Sequence, residues 1–312
     1  MNIRWAILIL LLTACTTIPF APPTPTPSPI PTLTPTETPT PSSTPTPSPT
    51  PIPTVRFAVI GDYGWAGDPL AAVAALVDSW QVDFIITTGD NNYPLGQAST
   101  IDENVGQYFH AYIYPYQGEY GPGADVNRFF PSMGNHDWYS QKGQPYLDYF
   151  TLPGNERYYD FQWDFLHFFV LSSDWYEPDG ISKRSIQAAW LQETLAASTA
   201  SWKVVYFHHA PYASGYHRDT PHMQWPFKDW GADVVLSGHD HIYERLLIND
   251  LPYFVNGLGG AARYAITAPH TGSQVRYQAR HGAMLVKATP FQLTFQFINI
   301  DGDTIDKFIL SR

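Results

Sequence analysis

The chain has 312 residues, a formal net charge of −11, one cysteine and 29 prolines. An acidic chain without a Lys/Arg run lacks the footprint of a duplex nucleic-acid binder, although local charge at a site can oppose the global sign. A single Cys excludes an intrachain disulfide, so core burial or metal must hold the fold.

Residues 1–15 read as an export signal. Arg4 gives a positive start, and Trp5 to Leu12 is an apolar run too short for a hydrocarbon core of ~30 Å. The segment ends Leu12-Thr13-Ala14-Cys15, which resembles a bacterial lipobox. The resemblance implies a cut before Cys15 and acyl chains on it, hence a lipid anchor on the outer face of a bacterial membrane. Residues 16–54 carry 15 of the prolines, mostly in Thr-Pro and Ser-Pro steps. Proline fixes φ and removes a donor, so the expected state is a polyproline II stalk rising ~3.1 Å per residue. Arg4 and Glu37 cancel, and the whole net charge falls on residues 55–312, expected as one catalytic domain.

That domain opens with the apolar strand Val55–Ile60, closed by Gly61-Asp62. A helix is predicted over Pro69–Trp80, with Pro in its first turn, and a second strand over Val82–Thr88, closed by Gly89-Asp90. Strand, helix, strand implies a parallel pair in an α/β sheet. A helix is predicted over 103–114. Phe129–Met133 leads to Gly134-Asn135. Further strands are expected at Leu166–Leu171, Lys203–Phe207 and Val234–Leu236. A helix is expected over Ser185–Ser198 with Ile186, Trp190, Leu191 and Leu195 on its apolar face. Beyond Leu251 several strand-like runs follow, with a turn at Asp301-Gly302.

Apolar strands repeatedly stop at a metal-capable side chain, most often behind a glycine. In open α/β sheets ligands bind beyond the carboxyl ends of strands, and glycine permits a sharp turn and close approach. One such Gly-Asp is most often only a turn; five in one domain share a cause. The blocks are Gly61-Asp62-Tyr63-Gly64, Gly89-Asp90-Asn91-Asn92-Tyr93, Gly134-Asn135-His136-Asp137, Val205-Tyr206-Phe207-His208 and Gly238-His239-Asp240-His241. In this order they resemble the calcineurin-like metallophosphoesterases, and among them the purple acid phosphatases.

The resemblance implies a two-sheet β-sandwich flanked by helices and two metals bridged by Asp90. Asp62, Tyr93 and His241 would complete one site; Asn135, His208 and His239 the other. Hard anionic ligands, with Tyr93 as phenolate, suit Fe(III); imidazoles and an amide oxygen suit a divalent ion, Zn, Fe or Mn. His239 and His241, two apart on an extended turn, would point alike and each serve one metal. His136 and His217 are expected to contact phosphate, with His222 on the same loop as His217, and His136 could pair with Asp137 instead or as well. His209 is expected beside the ligands or the substrate. The implied activity is hydrolysis of a small phosphomonoester by water that metal coordination has made acidic. Two other readings stay open: a divalent-metal phosphodiesterase, and a surface-anchored binding module without catalysis. Leaving-group contacts are expected from loops 94–128, 138–160 and 210–230.

Overall fold

The structure is a computed structural model that describes residues 19–28 and 52–312. The segment expected as an export signal, with Cys15, lies outside the described residues, as does the expected stalk apart from 19–28 and 52–54. Residues 19–28 are exposed and form neither helix nor strand. Among the described residues no helix is long and apolar enough to cross a membrane.

Val55–Ile60 forms β1, with every side chain but Arg56 buried. It pairs in parallel with β2 (Phe84–Thr87), which pairs in parallel with β3 (Phe129–Pro131). On its other side β1 runs antiparallel to β11 (Gly282–Thr289), followed by β12 (Gln292–Asn299) and β13 (Thr304–Ser311). Asp301-Gly302 makes the β12–β13 turn, as expected, with Gly302 at φ +89°.

A second sheet has the order β10, β8, β9, β7, β6, β5, β4. Its parallel centre is β5 (Leu166–Val170), β6 (Trp202–His209), β7 (Val234–Gly238) and β9 (Leu251–Asn256). Antiparallel edges are added by β4 (Tyr159–Trp163), β8 (Tyr243–Ile248) and β10 (Ser273–Tyr277).

The sheets face each other across an aromatic core. Phe57 of β1 meets Phe168 of β5 edge-on at 5.2 Å, Phe130 of β3 stacks on Phe161 of β4 at 3.8 Å, and Phe254 of β9 stacks on Phe295 of β12 at 4.8 Å. Alternation sends the next residues the other way: Val204 and Tyr206 enter this core, whereas Val205 and Phe207 pack outward with Leu191 and Leu195 of a helix. Strands buried on both faces read as unbroken apolar runs, which is why these were visible in the sequence. The two-sheet sandwich flanked by helices is therefore the observed architecture.

Helix α1 (Asp68–Ser79) starts with Asp68 and Pro69, one residue earlier than expected. The segment expected as one helix over 103–114 is three short pieces: a π turn at Asp102–Gly106, α2 (Gln107–Phe109) and a 3-10 turn at His110–Tyr112. The wide turn buries Asn104, whose amide bonds Asn92 Oδ1 at 2.8 Å and the Tyr93 carbonyl at 3.1 Å, and whose Oδ1 accepts from Ala66 N at 2.8 Å. Short helices α3 (Asn135–Trp138) and α4 (Gln144–Tyr149) follow β3. Helix α5 (Ile186–Ala197) is capped by Ser185, whose hydroxyl accepts from Ala188 N at 3.1 Å. Its buried face is Gln187, Ala188, Leu191 and Leu195, and Ile186 is 66% exposed. The face is rotated from expectation because Gln187 bonds the Ser172 amide and carbonyl at 2.8 and 2.9 Å.

Candidate metal centre

The ends of β1, β2 and β3 in one sheet and of β6 and β7 in the other deliver the polar residues to one place. Asp62 and Asp90 follow β1 and β2, Asn135 opens α3 after β3, His208 ends β6, and His239 and His241 follow β7. Asp62, Asp90 and His239 all adopt left-handed backbone, with φ of 54°, 54° and 69°. Such conformations concentrate at functional turns and are tolerated best by Asp, Asn and His.

Glycine is required at two of these turns. Gly89 has φ +90°, and a Cβ there would lie 2.7 Å from His208 Nδ1. A Cβ on Gly134 would strike the Asp90 carboxylate itself.

The donor atoms fall into two sets that share Asp90. In the first, Tyr93 Oη lies 2.8 Å from Asp90 Oδ2, 3.4 Å from Asp62 Oδ1 and 3.1 Å from His241 Nε2, and His241 Nε2 lies 3.3 Å from Asp62 Oδ1. In the second, His208 Nε2 lies 3.0 Å from Asn135 Oδ1, 3.2 Å from His239 Nδ1 and 3.4 Å from Asp90 Oδ2. Around an ion with bonds of about 2.1 Å, neighbouring donors sit about 3.0–3.4 Å apart. The observed separations are the edges of such shells. Asp62, Asp90 and His241 alone already form a buried cluster able to hold a metal.

The outer partners set the tautomers. His208 Nδ1 donates to the Thr88 carbonyl at 2.8 Å, and His241 Nδ1 to that of Ala262, so in each ring Nε2 is the nitrogen that would give up its proton to a cation in the site. His239 N donates to Asp62 Oδ2 at 2.9 Å and His136 N to Asp90 Oδ1 at 2.9 Å, which orients both carboxylates.

Among the described residues no Lys or Arg pairs with Asp62 or Asp90. Burial opposes ionisation of Asp90, yet the facing His208 and His136 hold its carboxyl below the usual range. Burial works against the His208 imidazolium as well, but the Asp90 charge raises it to about 10. Burial, then the Asp90 and Asp62 charges, push the Tyr93 phenol well above its ordinary value. Two buried carboxylates with only imidazoles around them leave a charge deficit that cations would fill, and a phenolate here needs one.

All seven residues expected as ligands thus converge. His239 and His241 do face different donor sets, but through the left-handed turn at His239 and not an extended one. His136 does not pair with Asp137: its Nδ1 meets the Pro94 carbonyl at 2.6 Å. Asp137 instead accepts from Gly134 N and Asn91 Nδ2, both at 2.8 Å, and with burial and the Asp90 charge its pKa is raised to about 7. His136 Nε2 stands 3.9 Å from Asp90 Oδ2.

The His217 ring lies 4.0 Å from that of His239 at the mouth, on a loop tied down where its amide donates to Asp240 Oδ1 at 2.9 Å. Partial burial, then the neighbouring His241, lower its pKa. His222 sits further out, its ring 4.5 Å from Trp175 and 6.3 Å from His209. His209 Nδ1 bonds Ser173 Oγ at 2.9 Å, and its ring is 4.3 Å from His239. The sequence reading missed Asp240 as the anchor of the His217 loop, and Tyr264, stacked on His241 at 4.0 Å. No spacing signalled either.

A family model described as calcineurin-like phosphoesterase matches residues 55–243. Among curated proteins, the chain is 26% identical to purple acid phosphatase 17 of Arabidopsis thaliana, over 83% of this chain and 85% of that one. It is 24% identical to purple acid phosphatase 4 of the same plant, over 83% and 84%. Among solved structures, a purple acid phosphatase from yellow lupin (Lupinus luteus) seeds superposes with a TM-score of 0.68 at 18% identity, over 85% of this chain and 55% of that one. GAP50, the anchor in the inner membrane complex of Plasmodium, superposes with a TM-score of 0.64 at 18% identity, over 83% and 89%. The chain belongs to the calcineurin-like phosphoesterase family, and with these convergent donors it is a metal-dependent phosphoesterase.

Proposed function

We propose that the protein hydrolyses small phosphomonoesters at a dinuclear centre of Fe(III) and a divalent ion, Zn, Fe or Mn, outside the cell. The observation that carries this reading is Tyr93. Its oxygen stands within 3.4 Å of Asp90, His241 and Asp62, where a phenolate would join that donor set. A hard anionic oxygen beside two carboxylates suits a trivalent ion, and two imidazoles with an amide oxygen suit a divalent one. The similarity to purple acid phosphatases supports the same assignment.

Bound cations supply positive charge to the phosphate and make a coordinated water acidic. The chain's own residues do the rest. Asp90 shares its carboxylate between the two donor sets, and backbone amides of His136 and His239 keep both carboxylates aimed. His136 and His217 flank the site as donors to the equatorial phosphate oxygens, and His217 in its protonated form can pass a proton to the leaving alkoxide. Because its pKa is lowered, that form belongs to acidic solution.

The test is metal analysis and a visible spectrum of the purified protein, with rates on 4-nitrophenyl phosphate and its bis-ester. Two metals, one of them iron, a phenolate-to-iron absorption band and faster monoester turnover are expected. Two metals without the band and preference for the bis-ester would move the assignment to a divalent phosphodiesterase. Metal-free protein after correct assembly would favour a binding module.

The lipobox-like Leu12-Thr13-Ala14-Cys15 supports a lipid-anchored location through Cys15, with the Pro-rich segment as spacer. Detergent partitioning of wild type and Cys15→Ser tests this: the variant should move to the aqueous phase.

A further inference from the structure

One cavity opens directly off the metal donors. It encloses about 390 Å³ and is lined by Trp65, Tyr93, His136, His241, Tyr264 and the small residues 260–262. That is within the span of small-molecule sites, about 300–1,000 Å³. Four further cavities among the described residues, of 200–450 Å³, contain none of the seven donor residues.

Two aromatic rings stand on one donor set. Trp65 packs on Tyr93 at 6.1 Å, and Tyr264 stacks on His241 with 7° between ring planes. Tyr93 and His241 are themselves 3.1 Å apart. Trp65 is 54% exposed, an apolar area that contributes nothing to the core. Yet its loop is fixed on both sides: Gly64 N donates to the Asp90 carbonyl at 3.1 Å, and Ala66 N to Asn104 at 2.8 Å. Tyr264 N donates to the His241 carbonyl at 3.1 Å. Both rings are thus carried on backbone that is anchored before any ligand arrives.

No Lys, Arg, Asp or Glu lines the cavity. The adjacent Arg263 is turned away, bonding the carbonyls of Gln278 and Ala279. A leaving group bearing a further phosphate or a carboxylate would find no cation there, and a polyhydroxylated one would find few partners. A flat ring would meet the Trp65 and Tyr264 side chains and the small residues 260–262.

We propose that this cavity is the leaving-group subsite, that Trp65 and Tyr264 determine specificity, and that the preferred substrates are phosphomonoesters of flat, uncharged aromatic groups. The inference deepens the phosphomonoesterase reading and rests on it for turnover. The loops expected to supply these contacts, 94–128, 138–160 and 210–230, contribute none of the residues that line it.

The test is calorimetric titration of the metal-loaded full chain with phenylphosphonate and methylphosphonate, which share the metal-binding head and are not turned over. Wild type should bind the phenyl compound about tenfold more tightly, as two aromatic contacts allow. Trp65→Ala and Tyr264→Ala should each bring that ratio below threefold, and Trp65→Phe should keep most of it. Equal affinities in wild type, or a ratio that survives both alanine variants, would overturn the subsite. In parallel, kcat/KM for phenyl phosphate relative to glycerol 2-phosphate should fall in the same variants. If neither ester is hydrolysed while the phosphonate preference holds, the subsite stands and the phosphomonoesterase reading fails.

Discussion

The backbone amide of His239 donates to the Asp62 carboxylate at 2.9 Å, so the first acidic residue after β1 receives a bond from the turn after β7. The two residues are 177 positions apart and hang from different sheets. Asp62 is therefore both a donor to the centre and a tie between sheets, and the two jobs can be separated by substitution.

Asp62→Ala should lose both. Leaving a desolvated amide unpaired costs about 1–3 kcal/mol, so the metal-free variant should melt below metal-free wild type. Asp62→Asn keeps an acceptor oxygen and should melt near wild type. Elemental analysis should show weakened metal retention in both.

Tyr93→Phe should abolish the visible band and weaken one metal, by roughly tenfold or more on the scale seen when groups around a metal are lost. Burial and two carboxylates keep the phenol protonated in the metal-free protein. Metal loading must then release that proton, and titration should count about one more proton in wild type than in Tyr93→Phe. Equal release would remove the phenolate from the centre.

His136→Ala and His217→Ala should retain both metals and lose turnover, each by about 10²-fold, the scale of a lost charge-stabilising donor. A decline in metal content matching the decline in rate would assign them to metal retention.

Glu177 gives a pH prediction remote from the centre. Burial raises its pKa, and Arg157, 3.2 Å away, opposes but does not overcome this. A raised carboxyl stabilises the fold below its unfolded value, about 4.3, and that contribution is lost as pH rises through the folded value. Melting temperatures of Glu177→Gln should therefore fall less than those of wild type as pH is raised from 4.3.

The sequence was most legible where strands are buried on both faces. Nearly continuous apolar runs marked β1, β2, β5, β6 and β7, and each of β1, β2, β6 and β7 leads to a donor residue at or just beyond its end. It was least legible where polar residues interrupt the pattern. Strand β8 carries Glu244 and Arg245 inside its run, and β4 alternates Tyr159, Asp160, Phe161 and Gln162. The helix over 103–114 broke into turns because Asn104 serves the loop around Tyr93, a tertiary demand no local pattern carries. Gln187 rotated α5 for the same reason. At the site, the side-chain donors were legible through the five motif blocks and the family they resemble, but their orienting partners were not. The carbonyls of Thr88 and Ala262 have no residue-type signature, and Trp65 and Tyr264 are aromatic among forty-eight.

Each donor set draws on both sheets: Asp62, Asp90 and Tyr93 with His241, and Asp90 and Asn135 with His208 and His239. An ion in either set is a cross-link over the seam of the sandwich. In a chain whose one cysteine cannot form an internal bridge, such ions would do the cross-linking that disulfides do elsewhere. Neither set is complete until residues from both sheets have come together, so a complete site would form only with the sandwich, and chelation should loosen the seam without unmaking either sheet.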